Sequence, residues 1–394
     1  MTAPTPHSQT HRHPPVPKLP EDVPTPCYVL DIALLKRNLR TAQRIKSETG
    51  IKMLLATKAW AMPAAFELMR DVLDGTTASG LYEALLGREE FGKEVHVYAP
   101  AYTADEVEEL TFIADHIYFN TPSQIERFLP VVKAAGRHAG IRVNPGFSMA
   151  TLGGDLYNPC APGSRFGTPA DQLDVVPWDD IHTLHVHALC EANHEGSAGL
   201  IEHVATNFAT YLSRVKTVNF GGGHFINKPG YDVAKLIAAL HEFRAQFPHL
   251  NVILEPGAGL VVDTGFLVAT VLDTMRNGSD IAILDTSAST HMPDVLEVPY
   301  TPEIIGAGKA GEKAHTYILG GKTCMTGDVI GTYSFDQSLK PGDRIIFTDM
   351  MQYSFVKNTT FNGTPLPDLA MLNEDGSYRV VRSYGYRQFR ERLG

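Results

Sequence analysis

Eight short apolar or β-branched runs alternate with segments of helical period, and this alternation restricts the fold more than any other feature of the sequence. The runs lie at about 52–58, 75–79, 95–99, 116–119, 140–144, 184–188, 217–220 and 252–255. Strands that alternate with helices predict βαβ units, and eight such units predict a parallel (β/α)8 TIM barrel. We expect a helix near 34–47 to close the outer ring in place of a helix after the last strand.

Two stretches depart from this alternation. Residues 144–146 and 157–163, between the fifth and sixth strands, are rich in Pro and Gly and predict a functional or disordered loop rather than a long helix. Beyond Pro256 the helical period gives way to short strand-like runs and turns, which predict an all-β, barrel-like domain. We therefore expect a barrel over 34–264 and a β domain from 24–33 and 265–394.

Composition limits the environment and the partners of the chain. Residues 1–23 have many prolines and almost no apolar periodicity, so we expect a disordered tail there. A net charge of −10 argues against binding to nucleic acid or to an anionic membrane. No apolar run has the length of a membrane span and the N-terminus lacks a signal pattern, so we expect a cytoplasmic protein. The scattered cysteines Cys27, Cys160, Cys190 and Cys324 predict reduced thiols.

Four strand ends carry residues that could do chemistry together. Lys58 ends the first barrel strand, His187 the sixth and Glu255 the eighth, while Gly221-Gly222-Gly223 follows the seventh. Barrel active sites lie at the carboxyl ends of the strands. A lysine can bind the aldehyde of pyridoxal phosphate (PLP), glycines let backbone N–H groups approach a phosphate, a carboxylate can pair with the pyridinium nitrogen, and an imidazole can stack on the ring.

Each of these residues also has an ordinary structural explanation. A single strand-end lysine is usually solvated, a glycine run is usually a turn, and His187 or Glu255 could merely complete a strand end. The cluster His182, His185, His187, Cys190 and His194 could instead bind a metal. No carboxylate-rich complement occurs near the other strand ends, so we expect no metal site.

The chain resembles the fold-type III PLP-dependent decarboxylases, which have the alanine racemase architecture, and most closely their carboxynorspermidine (carboxyspermidine) decarboxylase branch. The resemblance covers residues 25 to about 366. It rests on residues 56–59, 74–79, 81–84, 89–96, 157–165, 219–224, 291–297 and 359–363.

The resemblance implies a head-to-tail homodimer in which each site borrows residues from its partner. It implies a cofactor site formed by the PLP lysine Lys58, the ring-stacking His187, the pyridinium partner Glu255, and Gly221, Gly222, Gly223, Gly257 and Tyr353 around the phosphate. It implies that Cys324 donates a proton across the dimer and that Asp328 binds the substrate amine. Asp294 and Glu297 are our candidates for a cationic substrate tail.

Two positions depart from the family pattern. Ala258 stands where many relatives have a phosphate-binding arginine, so the phosphate must depend on the glycines, Tyr353 or Arg165. Met325 stands where diaminopimelate decarboxylases have an acidic residue. The expected activity is decarboxylation of carboxynorspermidine or carboxyspermidine. The alternatives are a diaminopimelate- or ornithine-type decarboxylase and a non-catalytic PLP-binding relative.

Overall fold

The computed structural model of the protein describes residues 19–149 and 157–394. Most of the expected tail, residues 1–18, lies outside this range. Residues 19–23 do not behave as a tail, because Leu19 and Val23 are buried in an apolar cluster with Phe266 and Val268. The Arg344 guanidinium also donates to the backbone oxygens of residues 21 and 23. Contacts with distant parts of the chain therefore fix a segment that its proline content alone assigns to a tail.

The chain enters the fold through β1 (Cys27–Asp31) and α1 (Ile32–Thr49), and a nine-stranded parallel sheet follows. Its strands are β2 (Lys52–Ala56), β3 (Gly75–Ala78), β4 (Glu94–Tyr98), β5 (His116–Phe119), β6 (His138–Asn144), β7 (Thr168–Pro169), β8 (Thr183–His185), β9 (Thr217–Asn219) and β10 (Asn251–Leu254). Pairing of β5 with β6 and of β10 with β2 closes eight of them into a ring, and β7 pairs only with β6. The predicted barrel and its eight strands are confirmed.

Helices surround the ring. They are α2 (Pro63–Arg70), α3 (Leu81–Leu86) with a π-helical turn over Gly87–Phe91, α4 (Ala104–Ile113), α5 (Pro122–Ala134), α6 (His194–Asn207), α7 (Ala209–Leu212), α8 (Val233–Gln246) and α9 (Ala258–Val261). The Thr121 hydroxyl caps α5 and the Asp232 carboxylate caps α8, so local capping chemistry fixes where both helices start. Because α9 is one turn long, α1 packs beside α8 and closes the outer ring as expected.

A second, mixed sheet contains β1, β11 (Gly265–Asn277), β12 (Ser279–Leu284), β13 (Gly308–Lys309), β14 (His315–Gly320), β15 (Val329–Phe335), β16 (Arg344–Thr348), β17 (Asp368–Leu372) and β18 (Tyr378–Arg382). β1 pairs with β11 and β17, so both ends of the chain contribute to this sheet. We propose the domain division 24–33 with 265–394, and 34–264, from these pairings. The region also contains short helices α10 (Ala288–His291), α11 (Asp294–Glu297) and α12 (Tyr386–Leu393) that an all-β reading did not predict.

The unit between β6 and β8 is irregular, as its breakers indicate. Its described part contains the two-residue strand β7 and single 3-10 turns over Ala170–Gln172 and Trp178–Asp180. Residues 150–156 of the expected loop lie outside the described residues. In the part of the chain that the structure describes, no helix combines the length and the apolar character needed to span a bilayer.

Candidate active site

Lys58 lies two residues beyond the end of β2, in a turn at the carboxyl end of the barrel. The turn is held by Thr57, whose hydroxyl lies 2.8 Å from a carboxylate oxygen of Glu83 on α3. Glu83 also accepts the Ser79 N–H at 2.8 Å, so one carboxylate ties together the ends of two neighbouring strands. Sequence reasoning assigned no role to Glu83, because its partner Thr57 lies 26 residues away.

Burial lowers the pKa of Lys58 below its usual value, and the Arg142 guanidinium lowers it further. The carboxylates of Glu255 and Glu83 oppose this effect. A lysine that loses its proton more readily is a better nucleophile toward a carbonyl carbon. The environment of Lys58 suits covalent chemistry at the amine better than the environment of an ordinary solvated lysine.

Glu255 follows β10 directly and is only 3% exposed. Its Oε1 accepts an N–H of Asn219 at 2.7 Å, and its Oε2 lies 3.4 Å from His185 Nε2. Burial by itself would raise the pKa of Glu255, but the interactions with His185 and Asn219 outweigh it and lower the pKa to about 2. Glu255 is therefore a buried anion at the same end of the barrel as Lys58.

The glycine run lies against His187, which is two residues beyond β8. Gly221 and Gly223 have φ of 68° and 85°, the left-handed region that glycine tolerates. A Cβ on Gly222 would lie 2.8 Å from the backbone oxygen of Glu255 and 3.1 Å from His187 Cε1. The Gly222 N–H faces His187 Nδ1 at 3.4 Å. Burial lowers the pKa of His187 well below its usual value, so the ring is neutral at pH 7.

Gly257 and Tyr353 both contact the turn that carries Lys58. A Cβ on Gly257 would lie 2.7 Å from the Cβ of Ala59, and the Tyr353 N–H donates to the Ala59 carbonyl at 2.7 Å. Tyr353 lies between β16 and β17, so this hydrogen bond brings the second sheet region to the barrel site. Burial raises the pKa of Tyr353, which keeps its hydroxyl protonated.

The histidine cluster considered for a metal separates into different places. His182 stacks on His138 at the amino end of the barrel, with ring centroids 4.0 Å apart, and His194 begins α6 beside Glu195. His185, His187 and Glu255 remain together, with one ligand atom of each within 4.8 Å of the others. These three residues belong to the same strand-end site as Lys58.

Arg142 of β6 is a site residue that sequence reasoning missed. It is 5% exposed, stacks between the rings of Tyr98 and Phe166 at 4.5 and 4.7 Å, and donates to the His187 carbonyl at 2.8 Å. Among the described residues it has no carboxylate within ion-pair distance. An arginine inside an apolar strand was the one signal available for it. Arg165 lies 4.4 Å from the ring of Phe166 and is exposed.

Cys324 and Asp328 lie in a loop between β14 and β15 of the second sheet. Cys324 is exposed, and its N–H donates to Asn362 Oδ1 at 2.8 Å. Asp328 is 4% exposed and accepts hydrogen bonds from Ser287 Oγ at 2.8 Å and Thr323 Oγ1 at 2.7 Å. Within the described chain, neither side chain forms a hydrogen bond or an ion pair with the barrel site.

Asp294 and Glu297, the candidates for a cationic tail, share one partner. The Lys357 ammonium pairs with both carboxylates. Burial by itself would lower the pKa of Lys357, but the hydrogen bonds that its ammonium donates to these two acids raise it. The pair thus already holds one ammonium and retains one net negative charge.

The strand-end residues fit pyridoxal phosphate. The backbone around Gly221–Gly223 has no room for side chains, Glu255 is a buried anion with one oxygen not engaged by Asn219, and Lys58 supplies a desolvated amine. A carbonyl-bearing aromatic cation with a phosphate matches these three features together. The site can therefore hold such a cofactor and stabilise charge on it.

Comparisons with known proteins agree with this geometry. The family model described as "Pyridoxal-dependent decarboxylase, C-terminal sheet domain" matches residues 27–351. A carboxyaminopropylagmatine decarboxylase from Synechocystis sp. is 42% identical over 94% of this chain and 96% of that protein. A carboxynorspermidine/carboxyspermidine decarboxylase from Campylobacter jejuni is 39% identical over 94% of this chain and 98% of that protein. The crystal structure of carboxynorspermidine decarboxylase from Campylobacter jejuni, complexed with norspermidine, has a TM-score of 0.87 and 37% identity, covering 94% of this chain and 100% of that one.

Proposed function

Because the chain belongs to the pyridoxal-dependent decarboxylases, we propose that it removes the α-carboxylate of carboxynorspermidine or carboxyspermidine, producing norspermidine or spermidine in polyamine biosynthesis. The similarity to the norspermidine complex, with a TM-score of 0.87 over nearly the whole chain, carries the proposal. The acidic net charge suits a polycationic substrate.

Bound pyridoxal phosphate supplies a ring that accepts the electron pair left when CO2 departs. The Nζ of Lys58 is the atom that would hold the cofactor aldehyde, and burial favours its reactive, unprotonated form. Glu255 would hold a proton at the ring nitrogen because its carboxylate stays ionised. The neutral imidazole of His187 would lie against the ring, and the N–H groups of Gly221–Gly223 would approach the phosphate, with Gly257 and Tyr353 beside them.

We propose that the site is completed by a second copy of the chain. Cys324 is exposed on the loop after β14 and has no partner among the barrel site residues, which suits a thiol that protonates Cα in the opposite subunit. Asp328 would act with it toward the substrate amine, although its hydrogen bonds to Ser287 and Thr323 must then be shared. Arg165, which is exposed beside Phe166, remains a candidate for substrate or phosphate.

The cationic tail of the substrate would bind near Asp294 and Glu297. Support comes from Lys357, since its ammonium demonstrates that these two carboxylates can hold one amine between them. A substrate ammonium could join this cluster or displace Lys357. Replacing Lys357 with Met would leave the two acids unneutralised and should lower KM for a polyamine-derived substrate more than it changes kcat.

Carboxyaminopropylagmatine is a second candidate substrate, favoured by the 42% identity to the Synechocystis protein. It would place a guanidinium where the polyamine precursors place a primary ammonium. The two tails have the same charge, so electrostatics alone does not separate them. The planar, multiply donating guanidinium differs from a compact ammonium in the hydrogen bonds it requires.

Steady-state kinetics on purified enzyme with added pyridoxal phosphate would test the proposal. We expect kcat/KM for carboxynorspermidine or carboxyspermidine to exceed that for carboxyaminopropylagmatine, diaminopimelate and ornithine by at least tenfold. The Lys58→Ala variant is the control, because it measures any release of CO2 that does not depend on the active-site lysine. A preference for carboxyaminopropylagmatine would replace the proposed substrate, and activity on none of the five would contradict the proposed function.

A further inference from the structure

Asn219, the last residue of β9, connects two parts of the site that the proposed function assigns to different ends of the cofactor. It is completely buried. Its Nδ2 donates to Glu255 Oε1 at 2.7 Å, and its Oδ1 accepts the Gly221 N–H at 2.8 Å. One side-chain amide therefore contacts both the acid for the ring nitrogen and the first glycine of the phosphate loop.

A line of hydrogen bonds inside the barrel fixes the orientation of this amide. The Nδ2 group of Asn219 lies 3.3 Å from Tyr118 Oη, and Tyr118 Oη lies 2.5 Å from His96 Nδ1. His96 Nε2 in turn lies 3.2 Å from Glu94 Oε2. Since the Tyr118 hydroxyl accepts a hydrogen bond from Asn219, it donates its own O–H to His96 Nδ1. His96 then carries its proton on Nε2 and donates it to the Glu94 carboxylate.

The reversed amide would be unfavourable at both ends. Its oxygen would face the Glu255 carboxylate, and its NH2 group would face the Gly221 N–H. The line from Glu94 to Tyr118 and the two contacts of Asn219 thus all require the same orientation. Glu255 Oε1 is occupied by a donor, which leaves Oε2 as the oxygen available to a ligand.

Building this line inside a barrel has a cost. Interior positions of such barrels are mostly filled by branched apolar side chains, and polar groups are tolerated there when every member has a partner. Tyr118 also packs face to face on His185, with centroids 4.9 Å apart. The interior is therefore arranged to hold Asn219 and Glu255 rather than to maximise apolar burial.

We propose, on the premise of the proposed function, that Asn219 is the positioning residue of the cofactor site. It fixes the positions of Glu255 and Gly221 relative to each other, so that the ring nitrogen and the phosphate of one rigid cofactor can contact their partners at the same time. This role requires no contact of Asn219 with the substrate or the cofactor. Its effect passes through the orientation and ionisation of Glu255 and through the backbone of Gly221.

Four variants of the holoenzyme would test this role. Asn219→Ala removes the amide, and Asn219→Asp keeps its shape but places an acceptor against Glu255. Tyr118→Phe removes only the hydroxyl that supports the amide. Thr76→Val is the matched control, because it also removes one buried hydroxyl from the barrel, on β3, and this hydroxyl has no hydrogen-bond partner within the described ranges of the chain. The readouts are the 15N resonance of ring-labelled pyridoxal phosphate, the rate of cofactor loss on dilution, and kcat with KM.

We expect the 15N resonance of the Asn219→Asp enzyme at pH 7 to move toward the unprotonated position. In both Asn219 variants we expect cofactor loss to accelerate and kcat to fall, each on the order of 10- to 100-fold, the range for losing a hydrogen bond to a charged group. Tyr118→Phe should change the same quantities in the same direction by less, and Thr76→Val should leave them unchanged.

An unchanged 15N resonance and unchanged cofactor loss in both Asn219 variants would overturn the positioning role while leaving the proposed function intact. Equal losses in the Thr76→Val control would also overturn it, because they would indicate general damage to barrel packing. If the wild-type protein formed no lysine-bound cofactor, the proposed function itself would fail. The wild-type measurement therefore separates the two failures.

Discussion

Replacing Glu255 with Gln is the perturbation whose consequence the geometry defines most closely. The Asn219 N–H donates to one oxygen of residue 255 at 2.7 Å, so the glutamine must place its carbonyl oxygen there. Its NH2 group then occupies the position of Oε2, 3.4 Å from His185 Nε2 in the wild type. A ring nitrogen would meet an N–H donor instead of a carboxylate, and would lose its proton.

The lowered pKa of Glu255 means that the wild-type side chain is ionised at pH 7. Losing an electrostatic contact to charge at the reacting group lowers kcat on the order of 10²- to 10³-fold. Cofactor binding should persist, because Lys58 and the glycine run are unchanged.

Single-turnover CO2 release, measured beside the near-visible absorbance of lysine-bound cofactor, would test this expectation. Glu255→Asp is the matched control, since it keeps the charge but shortens the side chain, and it should retain more activity than Glu255→Gln. If Glu255→Gln bound its cofactor and turned over within about threefold of wild type, Glu255 would be only the end of a strand.

Three further outcomes are expected. Gly222→Ala should weaken cofactor binding at least tenfold by equilibrium titration, because its Cβ would lie 2.8 Å from the Glu255 backbone oxygen. Gly80→Ala, whose Cβ meets open space, should bind the cofactor as the wild type does. Equal affinities of the two variants would refute the close-approach argument. Inactive Lys58→Ala and Cys324→Ala subunits, mixed equally, should recover roughly one quarter of wild-type activity if sites are shared in a two-fold dimer, and no recovery after verified exchange would exclude sharing. Burial lowers the pKa of His182, His224 and His291 to about 4. Between pH 6.5 and 4 the unfolded chain therefore binds protons that the folded chain does not, so the urea midpoint should fall as the pH falls through this window. The midpoint should fall less steeply in His291→Gln than in His315→Gln, the control at an exposed position.

Local patterns made the barrel predictable from the sequence. Each strand and each capped helix is encoded within about a dozen residues, and the ring position of Lys58, His187 and Glu255 follows once eight parallel strands are assumed. The packing of Leu19 and Val23 could not be predicted in the same way, because they contact strands far along the chain. Local composition indicates the structure that a segment would adopt by itself, but it contains no information about contacts with distant strands.

The same reason explains which site residues were missed. Asn219 meets Glu255 across 36 residues and Tyr118 across 101, and Arg142 reaches the His187 carbonyl across 45. These are buried polar side chains inside strands that read as apolar. Their function depends on barrel register, which no local motif expresses, whereas a glycine run or a strand-end lysine is visible without it.

The histidines at the amino end of the barrel belong to the same interior as the site. His96, His116 and His138 are direct partners on neighbouring parallel strands. The rings of His96 and His116 stack with centroids 4.1 Å apart, and the His138 ring lies tilted 4.8 Å from that of His116. His96 is also a member of the hydrogen-bond line that joins Glu94 to Asn219 through Tyr118. The stack therefore positions the ring whose Nδ1 accepts from Tyr118, and through Tyr118 it supports the donor order that fixes Asn219.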